Sequence, residues 1–124
     1  MPEGRFRRAL RRLTTDDETL EAEDLQRRAG DAGATAVSEC ANRRRVSVLG
    51  SVQSTTVRPL AGVPAVEAEL YDGSGTLYVV WLGRRDIAGI RTGVTLLVEG
   101  RAGLNNGRRT MFNPAYTIIP RRND

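Results

Sequence analysis

The sequence contains no histidine and no lysine, and Cys40 is its single cysteine. These absences exclude a Ser-His-Asp or Cys-His triad, a lysine that forms a Schiff base, and a zinc site built from Cys and His. A single cysteine forms no internal disulfide, which fits a reducing compartment. Because the predicted strands also carry no tight cluster of carboxylates, we expect a protein that is not an enzyme and uses no cofactor or metal.

Long apolar runs are also missing. No stretch approaches the roughly 20 apolar residues that a membrane-spanning helix needs. The basic first residues are not followed by a continuous apolar segment, so the pattern of a signal peptide is absent. We therefore expect a cytoplasmic protein without membrane contact. A chain of 124 residues is expected to form one domain with a short appendage.

Charge is unevenly divided along the chain. All 19 basic residues are arginine, a bias that a GC-rich genome alone would produce, although arginine also suits phosphate binding and base stacking. Residues 43–124 carry 12 arginines and 6 acidic side chains, a net of +6, whereas residues 1–42 have a net charge of −2. We predict a leader at residues 1–42, a basic domain at 43–120 and a polar tail at 121–124.

Two helices and a linker are predicted in the leader. The first is a short amphipathic helix that docks on the domain, or else a basic arm, and its apolar residues at helical spacing are Phe6, Leu10 and Leu13. Thr15-Asp-Asp-Glu18 resembles a capping box and predicts a second helix at about residues 16–29. Its apolar face is thin and includes Leu20 and Leu25. Residues 30–42 are small and are predicted to form the linker.

The remainder alternates in the pattern of β-strands. We predict one strand at about residues 45–57, with valines on one face and a bend at Gly50. A central hairpin follows at about residues 65–83, and one helical turn at 86–90. The fourth strand is predicted at about 94–102, a hairpin loop at 104–108 and the fifth strand at 109–119.

The central hairpin gives the strongest signal. Val66, Ala68 and Leu70 alternate with acidic residues, which is the period of a half-buried strand. The turn Asp72-Gly-Ser-Gly75 offers two glycines for positive φ angles. In the following apolar run, Leu77, Val79 and Trp81 share the predicted inward side, and Tyr78 points outward.

Five strands with a short connection between the third and fourth predict a mainly β fold. The pattern matches a five-stranded OB-fold (oligonucleotide/oligosaccharide-binding) barrel with an N-terminal helical segment. An SH3-like barrel is the second choice, but it would be shorter and would lack the element at residues 84–91.

Motifs within the predicted domain also resemble a known family. In chain order they are Asp72-Gly-Ser-Gly75, Val79-Val-Trp-Leu82, Gly93, Val98-Glu-Gly-Arg101 and Asn113-Pro-Ala-Tyr116. Over about residues 45–120 this order resembles the wedge OB domain of the RecG branch-migration helicase, and the small OB-fold proteins of high-GC bacteria. The resemblance implies nucleic-acid binding, with Trp81 and Leu82 where the wedge domain stacks on a DNA junction. It implies no ATPase or unwinding activity, because the helicase motor is missing from the match.

The candidate ligand is therefore nucleic acid, with single-stranded DNA favoured and RNA as a second choice. OB folds bind single strands with a basic groove and aromatic platforms. The candidate binding residues are Arg45, Arg58, Tyr78, Arg84, Arg85, Arg101, Arg108 and Arg109. Tyr78 is either a stacking platform or a surface tyrosine that pairs across the sheet. A core position is predicted for Trp81, core or barrel-closure roles for Phe112 and Tyr116, and loop positions for Arg108 and Arg109.

Glu67 and Glu69 oppose this hypothesis, because they are predicted to face outward in the centre of the usual binding face. Either the nucleic acid avoids them, or they pair with arginines, or the face binds protein instead. The alternative function is a protein-interaction module that docks a partner through the barrel face or the N-terminal helices. The sequence does not determine the oligomeric state.

Overall fold

The computed structural model describes residues 18–40 and 43–120. The helix predicted around Leu10, the cap at Thr15 and the polar tail lie outside these residues. The described elements are helix α1 at residues 18–31, a 3-10 helix at Val37–Glu39, and strands β1 Arg45–Leu60, β2 Val63–Tyr71, β3 Thr76–Leu82, β4 Thr95–Asn105, β5 Arg108–Phe112 and β6 Ala115–Ile119. No helix in this part of the chain is long and apolar enough to cross a membrane.

The strands form one sheet that closes on itself. β1 pairs antiparallel with β4 through its first half and with β2 through its second half. β2 pairs antiparallel with β3, β3 runs parallel to β5, and β5 pairs antiparallel with β4. The pairings therefore run in a circuit, β1-β2-β3-β5-β4-β1, and β6 adds to β4. The mainly β prediction, with a closed sheet of five strands, is confirmed.

β1 serves both halves of the circuit because it bends near Gly50. A Cβ atom at Gly50 would lie 2.7 Å from the backbone oxygen of Tyr71, so only glycine fits this close crossing. The register with β2 then shifts between Val52 and Ser54, as at a β-bulge, which increases the local twist. The register shift thus lies just past Gly50, where the sequence predicts the bend.

The core lies inside the closed sheet and follows the predicted alternation. The inward residues of the central hairpin are buried, and so are Val48 and Val52 of β1. Val37, from the 3-10 helix before β1, and Ile87, from the loop after β3, complete the same cluster. The sequence therefore fixes which side of each strand faces the core, and hence which side is free for a ligand.

The predicted last strand is interrupted at Asn113, which has a φ of +51°, and at Pro114, which lacks a backbone N–H. Ala102 pairs with Met111 and Glu99 pairs with Ala115, so three steps along β4 match four steps along the opposite strand. The extra residue is a bulge that divides the predicted strand into β5 and β6.

Two local predictions are wrong. The predicted helical turn at residues 86–90 is a β-turn closed by the N–H of Ile90 and the carbonyl of Ile87 at 3.1 Å, because Gly89 has a φ of +78° that no α-helix accepts. Of the two turn glycines, only Gly73 has a positive φ. Gly75 instead leaves room for the side chain of Val37, whose Cγ1 would lie 3.3 Å from an added Cβ.

Helix α1 packs across the outer side of the closed sheet. Leu25 and Ala29 are buried against Leu49 of β1, and partly buried Tyr71, Leu97 and Ile119 surround this contact. Leu20, by contrast, is 62% exposed, so the apolar face of the helix is even narrower than predicted. After the helix, Thr35 donates its N–H to the carbonyl of Ser47 at 2.7 Å, which holds the connecting segment against β1.

Candidate nucleic-acid interface

The outer side of the sheet that α1 leaves open carries its side chains in rows. Residues paired in the register lie side by side, and alternate residues of a strand point to the same face. One row runs from Glu67 through Val80 to Phe112 across β2, β3 and β5. The next row runs from Glu69 to Tyr78 and Thr110. These rows form the floor of the candidate interface.

A groove of about 360 Å³ lies over the first row. We call it the Phe112 groove, and the side chains that bear on its chemistry are Arg58, Glu67, Val80, Asn105, Arg108 and Phe112. The ring of Phe112 is 44% exposed, so it offers an aromatic surface to a ligand. The sheet thus presents an aromatic platform beside two arginines.

A second groove of about 230 Å³ adjoins the first and shares Asn105, Thr110 and Phe112 with it. Arg43, Arg101 and Leu104 line its far side, and we call it the Arg101 groove. Phe112 therefore stands between two hollows that each contain arginine.

Arg58 and Glu67 form an ion pair inside the Phe112 groove. Nη2 of Arg58 donates to Oε1 of Glu67 at 3.1 Å, and their side chains are 50% and 15% exposed. An exposed pair of this kind contributes only about 0–1 kcal/mol to stability. It does, however, place a guanidinium beside the carboxylate that would otherwise repel phosphate, so one of the three alternatives for Glu67 is realised.

Tyr78 points outward as predicted, but its ring is covered. The guanidinium carbon of Arg108 lies 4.5 Å from the centroid of the Tyr78 ring, the geometry of a cation–π contact. The flat surface offered to a base at this position is therefore the guanidinium of Arg108.

The prediction that Arg108 and Arg109 lie in a loop is wrong, because the turn contains only Asn106 and Gly107. Both have positive φ, +53° and +78°, as a tight two-residue hairpin requires, and β5 begins directly after them. Successive strand residues point to opposite faces, so the structure does not bring Arg109 together with Arg108.

Arg109 contacts the 3-10 helix instead. It donates from Nη1 to the carbonyl of Val37 and from Nη2 to that of Ser38 at 3.2 Å. These bonds hold the 3-10 helix in place, and with it Val37, whose side chain is part of the core cluster. The same guanidinium lowers the pKa of the nearby Cys40 thiol, but burial has the larger effect and raises that pKa above its ordinary value.

Arg45 and Arg101 lie next to each other on neighbouring strands. They are register partners of β1 and β4, and both are exposed. Nη1 of Arg101 donates to the carbonyl of Arg43 at 3.2 Å. The structure therefore places Arg45 at the border of the Arg101 groove.

Arg84 and Arg85 lie apart from these residues, in the exposed loop after β3. Arg84 lines a different groove, together with Trp81, Leu82 and Tyr116. Of the eight candidate residues, the structure thus brings together Arg45, Arg58, Tyr78, Arg101 and Arg108 and separates Arg84, Arg85 and Arg109.

Trp81 is a core residue, as predicted. It is 6% exposed, its Nε1–H donates to the carbonyl of Pro114 at 3.1 Å, and its ring meets that of Tyr116 edge-on at 5.7 Å. The ring face of Trp81 is therefore not offered for stacking, and only Leu82, the next residue, is exposed.

Phe112 does not lie in the core, which is one of the two roles predicted for it. Met111 is fully buried, and because successive strand residues point to opposite faces, Phe112 must face outward. The sequence does contain a signal for this, because Met111 and Phe112 are adjacent and a half-buried strand cannot turn both side chains inward. Asn105 and Asn106 were also missed, because their place in the groove depends on the turn between β4 and β5.

No protein-family model matches this chain, and no curated protein is significantly similar to it in sequence. Within the described residues, no group of three or more Cys, Asp or Glu side chains is placed to hold a metal ion.

Proposed function

We propose that this protein is a non-catalytic OB-fold module that binds single-stranded nucleic acid, with DNA favoured over RNA, across the Phe112 and Arg101 grooves. The observation that carries the proposal is the exposed Phe112, which stands between arginine-bearing hollows on the open side of the closed sheet. Basic grooves with aromatic platforms are the common means of single-strand binding.

The strand circuit supports the assignment to the OB fold. β1 bends to pair with both β2 and β4, and the parallel contact between β3 and β5 closes the circuit. The connection between β1 and β2 and that between β4 and β5, which flank the binding face in OB folds, both border the Phe112 groove through Leu60 and Asn106. The motif order that resembles the RecG wedge domain is a second, independent support.

The binding path crosses the strands. Around the open face, from Arg101 on β4 through β5, β3 and β2 to Arg58 on the second half of β1, five strands at about 4.8 Å spacing cover an arc of about 19 Å, which suits the lower end of the roughly 4–16 nucleotides that one OB fold covers. A base stacks on Phe112, and neighbouring phosphates reach Arg101 and Arg45 on one side and Arg58 on the other. Because paired bases cannot stack on a side chain, the geometry favours single strands.

The test is fluorescence anisotropy with labelled single-stranded DNA, duplex DNA and RNA of equal length at several salt concentrations. Phe112→Ala is expected to weaken single-strand binding by about 5- to 150-fold, since base–aromatic stacking contributes about 1–3 kcal/mol. Leu20→Ala, a change of another exposed apolar residue on the opposite side, is the matched control and keeps full affinity. Absence of binding at low salt by the folded protein would refute the proposal.

The edge of β1 favours a protein-interaction module as the second candidate function. Beyond Val52, β1 pairs only with β2, so within the described residues the other edge of residues 53–60 has no partner strand. An open edge is a ready site for strand addition, and Val57 beside it is exposed. Pull-down from a nuclease-treated lysate distinguishes the two functions, because a protein partner survives the treatment and a nucleic-acid bridge does not.

A further inference from the structure

The carboxylate of Glu67 lies on the β2 side of a groove that is proposed to bind a polyanion. A carboxylate is an acceptor without a donor, so it repels phosphate and attracts N–H groups. Resting on the function proposed above, we propose that the Phe112 groove selects nucleobases that carry an exocyclic amino group, cytosine over uracil, with Glu67 as the acceptor of that amino group.

The register places the three parts of such a base site in line. Glu67 pairs with Val80, and Val80 pairs with Phe112, so the α-carbons of Glu67 and Phe112 lie about 10 Å apart across two strand spacings. Val80 between them is buried and forms a flat apolar floor. A base that rests on Val80 beside the ring of Phe112 lies in the groove that Glu67 also lines, within reach of its carboxylate.

The hydrogen bonds of Glu67 leave one oxygen for a ligand. Oε1 accepts from Arg58 at 3.1 Å, which reduces the cost of holding a charge in the groove. Oε2 accepts no side-chain hydrogen bond from the rest of the described chain. The ion pair thus occupies Oε1 and leaves Oε2 of this groove-lining carboxylate for a ligand.

The choice among bases follows from the donors on their edges. Cytosine offers an N4 amino group, which pairs with Glu or Asp, whereas the corresponding O4 of uracil is an acceptor and repels a carboxylate. Asn105 and Asn106, at the other end of the groove, carry amide N–H groups that can satisfy the acceptors of cytosine. The groove therefore complements cytosine. With uracil, its O4 acceptor would face the carboxylate of Glu67, which is also an acceptor.

The experiment measures anisotropy with labelled deoxycytidine and deoxyuridine 12-mers, which have equal charge and length. The wild-type protein is expected to bind the cytidine oligomer about tenfold more tightly, within the range of one good base contact. Glu67→Ala is expected to bring this ratio close to one, mainly because the uridine oligomer binds more tightly once the carboxylate is gone and Arg58 is released.

Glu69→Ala is the matched control. It removes the same charge from the same face of the same strand, but it lies in the neighbouring row and keeps the tenfold ratio. Arg58→Ala breaks the ion pair and retains the carboxylate, so it also keeps the ratio while weakening both complexes. If Glu67 acted only by stabilising the groove through its ion pair, Arg58→Ala would change the ratio as Glu67→Ala does. Thermal unfolding confirms that each variant is folded.

The outcomes are distinct. If neither oligomer binds at low salt, the proposed function itself fails. If both bind with equal affinity to the wild-type protein, or if Glu67→Ala leaves the ratio unchanged, nucleic-acid binding stands and the base selection by Glu67 is overturned.

Discussion

Asp72→Ala is expected to be among the most destabilising single substitutions in this protein. The Asp72 side chain is 1% exposed. Its Oδ2 accepts the N–H of Val37 at 2.7 Å, and its Oδ1 accepts the N–H and hydroxyl of Ser74 at 2.8 and 2.7 Å and the N–H of Gly75 at 3.1 Å. One carboxylate thus closes the β2–β3 turn and ties the 3-10 helix to it.

The size of the effect follows from the donors that alanine leaves behind. The N–H of Val37 is buried and loses its partner, which costs about 1–3 kcal/mol. The donors of Ser74 and Gly75 are half-buried and regain water, so they lose about 1 kcal/mol each. Together, with three such donors beside Val37, we expect a loss of about 4–6 kcal/mol, a large part of the roughly 5–15 kcal/mol by which a domain is stable.

Urea unfolding followed by tryptophan fluorescence measures this loss through Trp81. Ser74→Ala is the matched comparison, because it removes one hydroxyl from the same network and is expected to cost about 1 kcal/mol or less. A loss below about 1 kcal/mol for Asp72→Ala, at unchanged slope with urea, would show that the network does not hold the 3-10 helix in solution.

Three further predictions test the separate roles of nearby residues. Arg109→Ala is expected to reduce the free energy of unfolding by about 1–3 kcal/mol, because it loses its bonds to the 3-10 helix. Single-strand affinity is expected to stay unchanged, and a large loss of affinity would show that Arg109 contacts the nucleic acid. Arg108→Ala is expected to weaken binding and lower the slope of log affinity against log salt by about 0.7, the value for one phosphate contact to a single strand; an unchanged slope would show that Arg108 contacts no phosphate. Gly50→Ala is expected to lower the melting temperature, because its Cβ would lie 2.7 Å from the oxygen of Tyr71; an unchanged melting temperature would mean that β1 bends elsewhere.

The sequence predicts the closed sheet because its signal is local. Alternation in β2 and β4, and turn residues at Gly73 and Asn106, each act within a few residues and specify which side chains face inward. The bulge at Asn113 escaped prediction since a single extra residue hardly disturbs an apolar pattern. The β-turn at Gly89 was missed because one glycine φ angle decides between a turn and a helical turn.

The candidate site was predicted only in part, because it depends on how strands are placed beside each other. The outward direction of Tyr78 follows from alternation, but its cover by Arg108 comes from the parallel contact between β3 and β5. Likewise, Arg109 lies apart from the candidate site because it donates hydrogen bonds to carbonyls of the 3-10 helix, more than 70 residues earlier in the chain. Composition places arginines in the domain, whereas topology decides which of them share a groove.

The position of α1 determines where a ligand can bind. The outer side of β1 and β4 is apolar at Leu49 and Leu97, and α1 covers this half through Leu25 and Ala29. Further along β4, the outward residue is Arg101, which α1 leaves exposed beside Phe112. On β1 and β4, apolar outward residues thus mark the half that the helix buries, and arginine marks the half that stays open. Among the described residues, only the open half combines an exposed aromatic ring with arginines, so the proposed nucleic-acid binding is expected at the Phe112 and Arg101 grooves.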